Sequence, residues 1–250
     1  MRTLIRSRGR RVDEENPYWI SFSDLMSALL VVFILAAVAL IIELTQTQKE
    51  IEQDIEQLKQ AEQARRDILH EIRDELAKRK ITVLIADNDA VLRIPDSTLT
   101  FAPGRDDLPE EERVRAAVIT IGKVLHAAIN RPFNPTITQK RRFDFLDTVF
   151  IEGHSDSDVS KRIKGNWGLS TFRAISLWDY WCEELSVTPN FSEMNNAFGN
   201  KLFSVSGYAA TRRVNEIEAT REDKRENRRI DIRFTVKRPR LSELEDIVER

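Results

Sequence analysis

From position 25 to position 42 the chain runs for eighteen residues without a formal charge, LMSALLVVFILAAVALII. A helix of that length reaches about 27 Å, close to the hydrocarbon thickness of a bilayer. A cleaved signal sequence would have a shorter apolar region, about 7 to 15 residues, ending in a small-residue cleavage site. Here Glu43 and a polar helical stretch follow instead, so the pattern predicts one transmembrane helix over residues 18–43, after an N-terminal tail at 1–17. Neither glycine nor proline occurs between Pro17 and Pro95, and apolar residues recur at Leu44, Ile51, Ile55, Leu58, Leu69, Ile72 and Leu76. Spacings of threes and fours predict a helical connector over residues 44–80. Two readings of it stay open. One is a parallel two-stranded coiled coil over residues 45–80, with Gln48, Glu62 and Arg65 breaking the seam; the other is a single charged helix packed on its own domain.

Beyond residue 80 the period changes. Residues 90–94 alternate as a strand, 99–104 read as a turn carrying Phe101, and 109–128 as a helix with acids in its first turn, where they complement the helix dipole. A short buried strand over 148–152, a helix over 167–185, a strand over 203–208 and a strictly alternating strand over 229–236 complete the order. The expected fold class is a single transmembrane helix, a helical or coiled-coil connector, and an α/β domain, an α+β sandwich with helices over one face of a sheet, at residues 81–238. A C-terminal tail follows at 239–250.

Composition narrows the function classes. The 250 residues carry 39 basic and 41 acidic side chains, so no long-range field directs the molecule to nucleic acid. The charges around residues 221–229 mix both signs and read as a solvated loop. Arg2, Arg6, Arg8, Arg10 and Arg11 precede the apolar run and Glu43 follows it, which places the N-terminus in the cytoplasm and the rest outside by the positive-inside rule. Tyr18 and Trp19 are expected at the cytoplasmic interface. The lone Cys182 closes no disulfide within the chain. His70, His126 and His154 lack metal-ligand spacing, and no glycine-rich phosphate loop is present, so neither metal nor cofactor is expected. His154, Ser155 and Asp156 are hydrolase residue types, but consecutive residues at a strand end point to alternate faces, so no triad and no enzyme is expected.

One acid stands out. Asp24 lies five residues past Trp19, about 7 to 8 Å deeper along a regular helix. A carboxylate at that depth costs about 2 to 3 kcal/mol on insertion scales and usually lines a protein interior or an ion path. By position alone it could equally be the N-cap of the membrane helix, with Ser21 and Ser23 at the same boundary. Ser27 and Ala28, three and four residues on, give its face a small polar strip suited to close helix packing, and so favour the ion path.

The residues Pro17, Trp19, Phe22, Asp24, Leu25, Met26 and Leu29 resemble the head of the single span in bacterial stator B subunits, the MotB-like family. The resemblance implies that Asp24 takes up and releases the driving cation. It also implies that two B subunits sit inside a ring of five MotA-like A subunits. Desolvation penalises a charged carboxyl group, so such a group can alternate between a neutral, protein-facing form and a charged, water-facing one.

Three further strings are similar to the OmpA-like peptidoglycan-binding family. They are Ile151-Glu152-Gly153-His154-Ser155-Asp156, then Asn166-x-x-Leu169-Ser170-x-x-Arg173-Ala174, then Ser206-Gly207-Tyr208 with Asn227-Arg228-Arg229-Ile230. The resemblance implies that Asp156 and Arg173 hold the zwitterionic end of a diaminopimelate stem peptide, with Asn166 and Leu169 lining the same pocket. An aspartate suits an ammonium, and a guanidinium fork takes a carboxylate through two parallel hydrogen bonds. An internal Arg173–Asp156 pair is the competing reading. The sequence departs from the family at Ser155, where threonine is usual, and in the basic loop 157–165, which lacks an early glycine.

Within the stator family the chain resembles most the B subunits of Zorya anti-phage defence systems, because the flexible linker is missing and residues 130–147 form an insertion. The partner would then be the Zorya A subunit, ZorA. A flagellar MotB-type subunit and a passive envelope tether are the alternatives. The expected location is the inner membrane, single-pass, with the C-terminal domain in the periplasm.

Overall fold

The computed structural model describes residues 17–134 and 140–236. The arginine-rich segment at 2–11, the acids Asp13 to Glu15 and the tail at 239–250 lie outside the described residues. A helix α1 (Pro17–Lys78) continues without a break through the apolar run and the polar stretch after it. In its first part, which belongs to a compact unit ending at Asp54, the large apolar side chains are exposed, Leu25, Leu29, Phe33, Leu40 and Ile51 among them. This part of α1 is long and apolar enough to cross a membrane once.

The second unit begins at Ile55. Its sheet contains β1 (Leu84–Ala86), β2 (Val91–Pro95), β3 (Leu146–His154), β4 (Phe203–Gly207) and β5 (Arg229–Val236) in the order β1-β2-β5-β3-β4. All neighbours are antiparallel except β3 and β4, which run parallel and are joined through α3 (Gly165–Glu184). The other helices are α2 (Glu112–Asn130) and a short α4 (Arg221–Asn227). Strict alternation in β5 sends Ile230, Ile232, Phe234 and Val236 into the core together with residues of α1, α2 and α3. The alternate positions carry a charged ladder. Arg93 forks onto Asp231 through two bonds of 3.0 Å, Arg229 Nε donates to Asp231 at 2.9 Å, and Arg233 Nε donates to Glu152 at 2.9 Å. This is the expected α+β sandwich.

The connector differs from expectation. Ala61, Ala64, Ile68, Leu69, Ile72 and Leu76 are buried, and all but Ala64 belong to the domain's core cluster. The wall of the domain therefore starts near residue 61 rather than at 81. A coiled coil extending to residue 80 would need Leu69, Ile72 and Leu76 for its seam, and the domain has already covered them. The single packed helix describes this stretch, while Ile51, Ile55 and Leu58 remain exposed. Ala61 and Ala64 begin the buried stripe, a signal that a count of large apolar residues misses.

A strand and a helix were absent from the sequence reading. β1 is only three residues long. The charged segment read as a solvated loop is α4, begun by Thr220, whose hydroxyl accepts from the Asp223 amide at 3.1 Å while the Asp223 carboxylate accepts from the Thr220 amide at 2.7 Å. The insertion after α2 docks on α1: Arg142 and Arg131 reach Glu71 at 2.7 and 3.0 Å.

Candidate functional site

Two glycines set the site's geometry. A Cβ on Gly153 in β3 would collide with the Ser170 carbonyl of α3, and one on Gly207 in β4 would collide with the backbone and hydroxyl of Thr171. Only glycine lets α3 lie this close to the ends of both parallel strands. That approach brings Arg173 of α3 over the chain leaving β3 at Asp156. The Ser170 hydroxyl accepts from the Ala209 amide at 3.0 Å, and the Ser155 amide donates to the Ala209 carbonyl at 2.9 Å, which ties the chains after β3 and β4 together.

A cavity of about 590 Å³ opens there, and Asp96, Phe101, Asp156, Leu169, Arg173 and Arg228 are among its lining residues. Three of the four residues expected to hold a wall peptide, Asp156, Leu169 and Arg173, thus face one space. Asn166 is placed differently. Among the described residues it is not part of the lining; its amide donates to the Asp156 carbonyl at 3.1 Å and its oxygen accepts from the Ser160 amide at 2.9 Å. It holds the rim loop against the end of β3.

The two charged residues differ in their partners. Asp156 accepts from Arg228 Nη1 at 2.7 Å, and Arg228 also approaches Asp96 at 3.6 Å. Arg173 is 5% exposed, and among the described residues it pairs with no carboxylate. Its Nε donates to the Arg105 carbonyl at 2.9 Å, its Nη2 to the Ala102 carbonyl at 3.3 Å, and its guanidinium lies 5.0 Å from the Phe101 ring centre. Burial pushes the Arg173 guanidinium down to about 10, with Asp96 and Asp156 acting the other way from a distance. The internal Arg173–Asp156 lock left open by the sequence is not what forms. Burial raises the Asp96 carboxyl, against the pull of Arg228 and Arg225. Burial also works against the Arg228 charge, but its bond to Asp156 and the field of Asp96 outweigh that and raise it. Sequence reasoning missed Asp96 and Arg228 as lining residues. Arg228 stood inside a quoted motif, whereas Asp96 carries no motif and reaches the site only because β2 ends beside it.

His154, Ser155 and Asp156 do not converge. His154 Nε2 lies 3.6 Å from Asp231 and 3.8 Å from Glu152, and its ring stacks on Tyr208 at 5.4 Å. Among the described residues the Ser155 hydroxyl has no hydrogen-bond partner. The described residues also contain no group of three or more histidine, cysteine and acidic side chains placed to hold a metal ion. Asp24 lies on the exposed, apolar part of α1, and the Ser27 hydroxyl donates to the Ser23 carbonyl at 2.8 Å on the neighbouring turn.

The α/β domain with its mixed sheet has the fold of a solved MotB-like protein. A MotB-like protein from Desulfovibrio vulgaris aligns with 72% of this chain and 99% of its own at 20% identity and a TM-score of 0.51. The periplasmic domain of Helicobacter pylori MotB aligns over 67% of this chain and 90% of its own at 18% identity and a TM-score of 0.45. The cell wall anchor of the Pseudomonas aeruginosa type VI secretion system aligns over 69% and 99% at 20% identity and a TM-score of 0.46. No protein-family model and no curated protein sequence matches the chain.

Proposed function

We propose that this chain is the wall-anchored B-type subunit of an ion-driven motor in the bacterial inner membrane, with Asp24 as its ion-carrying group. The observation that carries the anchoring half is Arg173, a buried guanidinium without a carboxylate partner among the described residues, facing a cavity it shares with Asp156. A desolvated cation of that kind is completed by an incoming carboxylate, and the fork geometry favours a bidentate one. The ammonium of a diaminopimelate end would take Asp156 as Arg228 shifts to Asp96. Leu169 supplies apolar contact, and Asn166 acts by positioning the rim. The fold shared with the Desulfovibrio vulgaris MotB-like protein supports the same reading.

The motor half rests on Asp24. A passive tether needs an apolar anchor and gains nothing from an acid at that depth. In a motor, two copies of this chain would stand inside five MotA-like subunits, and a membrane potential would supply about 2.3 kcal/mol per charge per 100 mV to turn the ring. Two features favour the Zorya defence branch, with ZorA as partner: the uninterrupted α1, and the insertion held on Glu71 by Arg131 and Arg142. A flagellar stator subunit is the second reading, favoured by the MotB-like fold. Genomic neighbours separate the two.

The test of the anchor is co-sedimentation of the detergent-solubilised chain with purified sacculi. Wild type is expected in the pellet, and Arg173→Ala is expected to lose binding by about tenfold or more. Arg173→Lys keeps the charge without the fork and falls between. Equal retention of all three would remove Arg173 from the site.

A further inference from the structure

The folded domain carries a second cavity, of about 690 Å³, walled by the turn after α1, the turn after β2 and the first turns of α2. Its charged lining is Arg79, Lys80 and Arg113 against a single carboxylate, Glu111. Among the described residues none of the three cations forms an ion pair. Arg113 is the second residue of α2, where the helix dipole disfavours a cation, so local helix stability does not account for it. Hydroxyls of Thr82, Ser97 and Thr120 share the lining with a short apolar floor at Val114 and Ala117. The turn is fixed, since the Thr98 hydroxyl donates to the Thr82 carbonyl at 2.7 Å. Unpaired positive charge in a concave surface concentrates anions, and hydroxyls with small apolar contacts suit a sugar or a peptide backbone. Thr100 lines this cavity and the one around Arg173, so the two adjoin at the segment after β2.

We propose that the second cavity binds a further carboxylate of the same wall polymer, on the part of the stem peptide next to the end that Arg173 holds, with the attached sugars against its hydroxyls. The proposal rests on the wall-binding reading of the first cavity. The ligand it selects is a stem peptide still joined to its disaccharide, rather than an isolated diaminopimelate.

Isothermal titration of the full chain in detergent micelles tests it with two probes, free diaminopimelate and a disaccharide-tripeptide muropeptide. Wild type is expected to bind the muropeptide more tightly than the amino acid. The double variant Arg79→Ala/Arg113→Ala should lose about tenfold in affinity for the muropeptide, with no change for diaminopimelate. Both side chains are exposed, so the fold should be kept, and an unchanged urea midpoint checks this. Arg113→Lys should retain most of the muropeptide affinity. If the double variant binds the muropeptide as wild type does, the second site is wrong. If wild type binds neither probe, the first cavity is not a wall site and the proposal falls with it, an outcome distinct from the previous one.

Discussion

The two parts of α1 share one backbone conformation and obey opposite rules for their side chains. Ile51 is 45% exposed and Ile72 fully buried, although both sit at apolar positions of the same helix. Over residues 25–42 apolar residues surround the helix, and their cover must come from lipid or from other chains; beyond them Ile51 stands exposed among polar neighbours. From Ala61 on, one stripe is apolar and belongs to the domain's own core, while Glu71 on another face takes two arginines from the insertion. The helical period alone therefore does not say what a helix packs against. The width of the apolar stripe and the small residues that extend it decide.

The sharpest way to break this contrast is one charge in each part. Ile72→Asp puts an unpaired carboxylate in the core and is expected to cost more than about 4 kcal/mol, enough to unfold the domain. Ile51→Asp should leave domain stability within about 0.5 kcal/mol of wild type. Urea unfolding of the solubilised chain, read by tryptophan fluorescence through the buried Trp181, measures both. Similar losses in the two variants would erase the distinction. Gly153→Ala comes next. Its methyl would push α3 off β3, costing about 1 to 3 kcal/mol in the same assay and lowering sacculus binding as Arg173 is displaced.

The smallest effect concerns pH. Burial lowers the pKa of His154 below its ordinary 6.5, with Glu152 and Asp231 opposing this in part. Between those two values the unfolded chain takes up a proton and the folded chain does not. Stability is therefore complete above about pH 6.5 and is lost as the pH falls toward the folded value. Urea midpoints between pH 7 and pH 5 should decline for wild type and decline less for His154→Asn. Asp231, despite its burial, is held below its ordinary 3.8 by Arg93 and Arg229, so its contribution is lost only in stronger acid.

Much of this was legible from the residues. β5 matched its expected bounds because strict alternation with a charged face leaves one register. Asp156, Leu169 and Arg173 were singled out through motifs that span distant segments, and a parallel β3–β4 pair and a glycine-bearing strand bring these residues to one cavity. Asn166 was misplaced because a motif gives membership of a site and not the direction of a side chain. Asp96 and the cations at Arg79 and Arg113 were invisible, since tertiary contact alone joins them to their cavities. The helix α4 was missed because its stability comes from a capping box and charge rather than from an apolar stripe.

In the proposed motor, Asp24 in the apolar part of α1 moves a cation. The test is ion flux into vesicles holding this chain with co-expressed MotA-like subunits, under an imposed potential. A potential-driven flux is expected for wild type and none for Asp24→Asn, with the assembled complex recovered in equal yield. Equal flux through both proteins would contradict it and leave the chain as an anchor alone.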